Sequence, residues 1–454
     1  MDRSISSSVK VNEYGFIIKK DSISNELLIK IKKDLTVKPF QAFGNFHVSS
    51  FRVFRETTSS IIVPVYYGKT LEIPFSVSFT DKTSKKHEAF KSCNIILRDN
   101  QIDCFNKCII EKEKEFGGGI INLSTAMGKS VLALKIASFF SYKTIIVVNK
   151  KELIDQWKKE IHKFIPNARI GLIQGGVNDT ENKDIVIAML QSVSLKNSLS
   201  VSDFKTFNVC FIDECHNIGS EMFSKIMFKI RPRYIFGLTA TLLRKDKLER
   251  IILWYIGNVI YTDDGNAGSK KQETNIYLYK YKGESSVEKV LRNGTVAVSQ
   301  MLTNISKDKN RTLLISEVIS ELINSDTGGR QILVCSDRIS LLNEILLLVG
   351  KDLAGLFIGS MKKDDLELSK TKKVILGTYS IVSEGFNLPT LNCIIFATPR
   401  STITQSIGRI YRKRHEITPI IVDIIDEFSI FIGQQYRRKR IYHEEIDKIN
   451  FIYK

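Results

Sequence analysis

The sequence predicts an α/β protein with two tandem domains built on parallel sheets, preceded by a small β-rich domain. From residue 97 onwards, short apolar runs alternate with helical patterns, which is typical of a parallel sheet covered by helices. A polar stretch at 262–271 interrupts the alternation and predicts a linker. Because 454 residues are enough for two or three domains of usual size, we expect domains at 1–90, 91–265 and 266–454.

The first 90 residues carry a different pattern. Two β-like runs, 61–67 and 71–77, are joined by Gly68-Lys69-Thr70, and this arrangement predicts a β-hairpin. The region contains no combination of residues that suggests catalysis. Two interpretations of this region stay open, a binding or docking domain and a purely structural addition.

Ten apolar runs predict the strands of the two larger domains. In the first domain they cover 119–123, 144–148, 184–190, 209–213 and 234–238. In the second they cover 331–335, 355–358, 374–376, 393–397 and 419–424. A helix-rich piece that includes 313–323 separates the linker from the second set of strands.

The first of these strands leads into a turn of small residues and then into a helical pattern. The turn has the sequence Ser124-Thr125-Ala126-Met127-Gly128-Lys129-Ser130. This is the context of a phosphate-binding loop, in which backbone N–H groups and the positive end of the helix dipole meet the phosphates. Lys129 would add a positive charge at the β- and γ-phosphates of a bound ligand, and the Ser130 hydroxyl would be a ligand of Mg²⁺. The first glycine of the usual pattern is replaced by Leu123, and Ala126 stands where glycine is common.

A second group of polar residues follows the strand at 209–213. That run ends in Asp213-Glu214-Cys215-His216, and carboxylates at the carboxyl end of a buried parallel strand face the ligand crevice. Asp213 would hold magnesium, and Glu214 would polarise the water that attacks the γ-phosphate. The alternative is a strand that ends in a solvated acidic turn. The next strand ends in Thr239-Ala240-Thr241, which suits a hydrogen-bonded joint between a nucleotide site and a nucleic-acid site.

The second domain contributes a pattern of glutamine and arginine. Gln405, Arg409 and Arg412 have the i, i+4, i+7 spacing of one helix face. A guanidinium brought to a triphosphate bound by the first domain would stabilise the charge of the transition state, as an arginine finger does. A basic surface helix is the alternative, but it does not explain why these residues share one stripe.

Charge and cysteine content indicate the partner and the compartment. Lys plus Arg total 67 against 49 Asp plus Glu, a net charge of +18, which favours nucleic acid over acidic lipid as the polyanionic partner. Seven cysteines without repeated spacing indicate a reducing compartment. A zinc site at His87, Cys93, Cys104 and Cys108 is disfavoured because there is no close ligand pair. Without a signal peptide or an apolar run of about 18 to 20 residues, we expect an intracellular protein with no membrane segment.

The motifs together resemble those of superfamily 2 helicases of the DEAH-like type, in order over roughly residues 97 to 425, with a DECH box at 213–216. The resemblance implies RecA-like domains that use ATP and Mg²⁺. It also implies roles for residues outside the loop and the carboxylates. Arg98 and Gln101 would lie on the adenine side, Gly385 would contact the nucleotide, and Lys150, Gln191, Ser192 and Thr378 would contact nucleic acid.

A closer similarity is to the transcript-release helicases of large cytoplasmic DNA viruses, of the poxvirus, asfarvirus and iridovirus kind. It is carried by the segment at 395–400, the strand at 422–424 and the basic stretch at 436–440. This similarity implies a DNA-directed motor that works with the transcription machinery, in the host cytoplasm or the virion. The alternatives are an RNA helicase, the motor subunit of a nuclease, and a non-catalytic nucleic-acid-binding scaffold. The complete set of catalytic residue types argues against the scaffold, which needs none of them.

Overall fold

The computed structural model describes residues 8–40, 49–79, 86–123, 127–195, 199–216, 220–240, 242, 246–262, 272–325, 329–384, 388–411, 413–446 and 448–454. The chain forms two compact units, Met1–Gly268 and Ser269–Lys454. The division between them falls inside the polar stretch at 262–271, most of which lies outside the described residues.

The first unit begins with an N-terminal module, which comprises the described residues 8–40 and 49–79. Its central sheet has the order β5-β6-β2-β1-β7, and β3 and β4 form a separate two-stranded pair. The elements are β1 (Val9–Asn12), β2 (Gly15–Lys19), α1 (Asn25–Asp34), β3 (Thr36–Val37), β4 (Phe51–Arg52), β5 (Arg55–Glu56), β6 (Ser60–Val63), α2 (Val65–Lys69) and β7 (Ser76–Val77).

The predicted hairpin at 61–77 is wrong, because a helix replaces its turn. Only the start of the first run and the end of the second are strands, β6 and β7. Pro64, with a φ of −55°, is the N-cap of α2. The helix places Tyr67 in the core, where its hydroxyl donates to Asp34 Oδ2 at 3.0 Å. Gly68 packs so closely on Phe16 that a Cβ would lie 2.3 Å from its ring. Tyr66 and Tyr67 therefore lie on successive positions of a helical turn and do not point to opposite faces as they would in a strand.

The first α/β domain surrounds a mostly parallel sheet. Among the described residues the strand order is β11-β10-β12-β9-β13-β14-β8-β15, and only the β10–β11 pair is antiparallel. The strands are β8 (Gly117–Asn122), β9 (Thr144–Val148), β10 (Ile170–Gln174), β11 (Val177–Asp179), β12 (Ile185–Met189), β13 (Val209–Asp213), β14 (Tyr234–Thr239) and β15 (Val259–Thr262). The helices are α3 (Asp99–Ile109), α4 (Lys129–Phe140), α5 (Lys151–Phe164), α6 (Leu190–Leu195), α7 (Val201–Phe204), α8 (Glu221–Ser224) and α9 (Glu249–Ile256).

The second unit repeats this architecture. Its described strands form an all-parallel sheet in the order β18-β19-β17-β20-β21-β16-β22. The strands are β16 (Thr274–Tyr281), β17 (Ile332–Ser336), β18 (Ala354–Phe357), β19 (Val374–Thr378), β20 (Cys393–Phe396), β21 (Ile420–Asp426) and β22 (Ile449–Tyr453). The helices are α10 (Val298–Ile305), α11 (Lys309–Asn324), α12 (Ile339–Val349), α13 (Lys363–Lys370), α14 (Tyr379–Glu384), α15 (Thr404–Ile407) and α16 (Ser429–Glu445).

Both large sheets are buried on their two faces, as the continuous apolar runs predict. In β9, Ile146 and Val148 belong to one apolar cluster while Ile145 and Val147 belong to the cluster on the opposite face. The strands of the second sheet divide between two clusters in the same way. The predicted fold of two tandem parallel-sheet domains is confirmed. Because the strands are parallel, their carboxyl ends meet at one edge of each sheet, where the candidate site residues lie.

Candidate functional site

The start of α4 is an open helix terminus. Gly128 precedes the helix with a left-handed backbone at a φ of 72°, and among the described residues no side chain caps the first turn. The first N–H groups of a helix lack partners within it, so these are available to an anion. Lys129 reaches back along the strand that enters the loop, and its Nζ donates to Leu123 O at 3.3 Å. The predicted loop residues Ser124, Thr125 and Ala126 lie outside the described residues.

Gln101, at the start of α3, fixes the end of this loop. Its amide nitrogen donates to Met127 O at 2.9 Å and to Gly128 O at 3.3 Å, while its amide oxygen accepts from Arg98 N at 3.0 Å. The side chain is 2% exposed. A Cβ on residue 128 would lie 2.7 Å from this amide nitrogen, and the left-handed φ of 72° at this position also favours glycine. Gln101 therefore positions the loop, a role that the sequence alone did not assign to it.

The neighbouring Asn100 offers an acceptor at the same place. Its Nδ2 lies 3.4 Å from Met127 Sδ, whereas its buried Oδ1 accepts no hydrogen bond from the described residues. A buried acceptor without a hydrogen bond lowers the stability of the folded protein unless a ligand or water donates to it. The open α4 terminus, the left-handed glycine at its start and this acceptor together fit a bound nucleotide.

Asp213 ends β13, one strand away from β8 across the sheet, with β14 between them. Its Oδ2 accepts from the indole of Trp157 at 3.0 Å, and its Oδ1 accepts from Glu214 N at 3.1 Å. Burial and the nearby Glu214 carboxylate raise the pKa of Asp213 to about 6, while the Lys129 ammonium acts in the opposite direction. A divalent cation at this carboxylate would favour its charged form.

Trp157 is a site residue that the sequence patterns did not reveal. It belongs to α5 and is buried, so its helical spacing indicates only a core position. The signal available in the sequence was chemical, because a buried indole N–H requires an acceptor. That acceptor is the carboxylate predicted to hold the metal.

Glu214 has a backbone conformation that is rare for a side chain of its kind. Its φ is 50°, in the left-handed region, directly after a strand. His216 connects it to the next strand, because His216 Nδ1 lies 3.4 Å from Glu214 Oε2 and 3.3 Å from Thr239 Oγ1. The Asp-Glu turn and the end of β14 are thus joined through one imidazole. Thr241 lies outside the described residues.

Farther along the same edge, Gln191 joins the ends of β12 and β9. Its Nε2 donates to Asn149 O at 2.9 Å, while Gln191 Oε1 and Asn149 Oδ1 are buried and accept nothing from the described residues. Ser192 Oγ accepts from Gly175 N at 2.9 Å. Lys150 is the residue before α5. The predicted nucleic-acid contacts of the first domain therefore lie on adjacent strand ends.

In the second unit, the prediction of one helical stripe is wrong. The helix α15 contains only four residues, and Gly408 ends it. Arg409 N then bonds to Ser406 O at 3.1 Å, an i to i−3 bond of the tighter 3₁₀ type. The regular α-helix therefore ends between Gln405 and Arg409 and does not continue through both positions.

Gln405 is partly exposed on this short helix and Arg409 is 8% exposed just after it. Thr378 ends β19, with its hydroxyl 3.3 Å from Ser380 Oγ. Arg412 and Gly385 lie outside the described residues.

Comparison with known proteins identifies the relatives of the chain. Residues 94–244 match the family described as type III restriction enzyme, res subunit. A protein of Acanthamoeba polyphaga mimivirus, named an ATP-dependent RNA helicase, is 31% identical over 96% of this chain and 85% of its own length. A protein of Invertebrate iridescent virus 6, named a helicase, is 25% identical over 93% of this chain and 96% of its own length.

A solved structure shares the fold. It is a fragment of an HsdR subunit of a type I restriction enzyme from Vibrio vulnificus, with a TM-score of 0.57 and 16% identity over 83% of this chain and 72% of that one. Among the described residues, every helix is too short or too polar to cross a membrane.

Proposed function

Because the chain belongs to the family of ATP-dependent helicases that includes the mimivirus relative, we propose that it is a nucleic-acid translocase driven by ATP hydrolysis at the carboxyl edge of the first sheet. That it is an ATP-hydrolysing helicase follows from the family. One observation carries the choice of site: the open terminus of α4, Lys129, Asp213 and Glu214 all lie at the adjacent ends of β8, β14 and β13.

The nucleotide phosphates would bind at α4. The N–H groups of its first turn and the Lys129 ammonium supply positive charge at one place, and Gly128 allows the phosphates a close approach. Ser130 and Asp213 would hold Mg²⁺, which neutralises phosphate charge when it is bound. Gln101 contacts the end of the loop, and Arg98 precedes α3 beside it. The adenine would lie on this side.

Glu214 would orient and polarise the attacking water. Its left-handed backbone turns the side chain away from the direction that the strand would give it, and backbone strain of this kind clusters at active sites. Because His216 contacts both Glu214 and Thr239, a shift of Glu214 on loss of the γ-phosphate would change the contacts at the end of β14. Gly385, Gln405, Arg409 and Arg412 of the second domain would complete the site, with the arginines as fingers.

Nucleic acid would contact Lys150, Gln191, Ser192 and Thr378. A net charge of +18 supports binding mainly through phosphates, which carries little sequence information. We infer that the substrate is DNA and that the motor acts with the transcription machinery in transcript release, on the resemblance of the segment at 395–400. RNA unwinding is the second candidate, and the name of the mimivirus relative favours it.

Side-by-side measurements separate these functions. ATP hydrolysis by the full chain would be followed alone and with single-stranded DNA, duplex DNA and RNA at equal nucleotide concentration. We expect DNA to stimulate turnover more than RNA, and Glu214→Gln to retain ATP binding while turnover falls at least about 100-fold. Stimulation by RNA alone would replace the DNA assignment, and turnover of Glu214→Gln equal to the parent would refute the role of Glu214.

A further inference from the structure

A small cavity lies where the N-terminal module meets the first α/β domain. Asn12 and Tyr66 line it from the module, and Phe116, Arg231 and Tyr255 line it from the domain. Arg231 lies just before β14, at the amino end of the sheet. The cavity is therefore at the edge opposite the carboxyl ends that hold the candidate nucleotide site.

The Arg231 side chain is buried, and no carboxylate among the described residues pairs with it. It is 8% exposed, and its Nε and Nη2 atoms donate no hydrogen bond to any of the described residues. Its guanidinium carbon lies 5.8 Å from the ring centre of Phe228 and 5.7 Å from that of Tyr255. Burial lowers the pKa of Arg231 to about 10, and the nearby Arg55 adds repulsion. Aromatic rings compensate a buried cation only in part, so the charge calls for an anion.

The two unpartnered nitrogens form one edge of the guanidinium. Two other arginines of this protein use the same edge to hold a carboxylate with two bonds. Arg311 Nε and Nη2 bind the two oxygens of Asp426, both at 2.9 Å. Arg169 binds Asp184 in the same way, both at 3.0 Å. A group with two oxygens in one plane is therefore the natural ligand of this edge.

Tyr255 supplies a second donor at the same cavity. Its side chain is 3% exposed, and its hydroxyl is buried with no partner among the described residues. The turn of the β1–β2 hairpin closes over the guanidinium, because a Cβ on Gly15 would lie 3.0 Å from Arg231 Cζ. Residues of the module and of the domain thus enclose two unused donors.

We propose that this cavity is a binding site for a small oxyanion, a carboxylate or a phosphate group, held by the Nε–Nη2 edge of Arg231 and the Tyr255 hydroxyl. The bound anion neutralises the guanidinium at the junction and thereby fastens the N-terminal module to the first α/β domain. The inference does not depend on the function proposed above, because the cavity lies away from the residues assigned to ATP hydrolysis.

Thermal unfolding of the full chain tests the site. The probes are sodium phosphate and sodium acetate, each compared with sodium chloride at equal ionic strength. A ligand that binds the folded protein at ten times its Kd raises the Tm by about 3 °C for a unit of this size. Because phosphate would also bind at α4, the comparison is made in the Lys129→Ala background. We expect the rise in Lys129→Ala and not in the double variant Lys129→Ala/Arg231→Gln.

Two control variants identify the origin of any rise. Lys129→Ala removes the phosphate contact at α4 and should keep the anion effect. Arg250→Gln removes an exposed positive charge of α9 that does not line the cavity and should also keep it. If the rise is lost in Lys129→Ala and kept in Arg231→Gln, the anion binds at the nucleotide site and the proposal is overturned.

The choice of anion and a milder variant complete the test. A rise with acetate assigns a carboxylate ligand, a rise with phosphate alone assigns a phosphate, and no rise with either overturns the proposal. If Arg231→Gln does not fold, Tyr255→Phe replaces it, since it removes only the hydroxyl. It should weaken anion affinity about 5-fold, the worth of one hydrogen bond. An affinity equal to that of the parent would mean an adventitious ion only.

Discussion

Replacing Trp157 by phenylalanine should weaken magnesium binding, although Trp157 is not itself one of the proposed ligands. The indole N–H donates to Asp213 Oδ2 at 3.0 Å, and phenylalanine keeps most of the ring while losing this donor. A hydrogen bond to a charged group contributes about 1.5–3 kcal/mol. If all of this stabilisation is lost in the metal-bound state, the affinity for Mg²⁺ falls about 10- to 100-fold. This is the range found when residues that hydrogen-bond to metal ligands are replaced.

The assay is steady-state ATP hydrolysis over a range of free Mg²⁺ concentrations. We expect the Mg²⁺ concentration for half-maximal turnover to rise at least about 10-fold in Trp157→Phe, with a smaller change in affinity for ATP alone. Trp254→Phe is the matched control, because Trp254 is the only other tryptophan and packs against Tyr67 at 5.4 Å. A Trp157→Phe enzyme with the same Mg²⁺ dependence as this control would refute the positioning role.

Three further outcomes are expected. Arg409→Ala or Arg412→Ala should lower ATP turnover about 10³-fold or more while ATP affinity changes little. Lysine at either position should restore little turnover, because an ammonium lacks the planar fork. An ATP turnover equal to that of the parent would contradict the finger role. Asp184→Asn should lower the free energy of unfolding at pH 7 by about 1–2 kcal/mol, allowing for the exposed Arg169 partner. Although burial opposes it, hydrogen bonds from Arg169 and His87 lower the pKa of Asp184 to about 2. This stabilisation is present above the unfolded pKa near 4 and disappears as pH falls to about 2, so urea unfolding at several pH values should show the two proteins converging there. Finally, nucleic-acid affinity measured against salt should give a slope of about 0.7–0.9 per phosphate contact on logarithmic axes, and a flat line would exclude phosphate binding.

The central strands could be predicted from the sequence because both of their faces are buried. The runs at 144–148 and 209–213 coincide with β9 and β13, where every position except the last of β13 is buried. The strands β10 and β16 were not predicted. Both alternate buried and partly exposed residues, and β16 lies near the edge of its sheet, where the apolar signal is weaker.

Local chemistry explains the failures of the site prediction as well. The spacing of Gln405, Arg409 and Arg412 assumes a helix that continues through Gly408, but glycine favours termination and the chain tightens there. The contact between Trp157 and Asp213 joins residues 56 positions apart, and no periodic pattern encodes such a pairing. By contrast, Lys129 and Asp213 follow buried strands directly, so their placement at one edge is a consequence of the parallel topology.

At Glu214, the residue that would give the highest stability differs from the residue that hydrolysis requires, because the backbone there is left-handed. A residue with a Cβ in this conformation costs roughly 1 kcal/mol relative to glycine. A search for heat-resistant variants that reads out only folding should therefore accumulate glycine at 214, together with a loss of the carboxylate. A selection for thermal stability would have to assay ATP hydrolysis in every round, because the most stable sequence and the active sequence differ at this position.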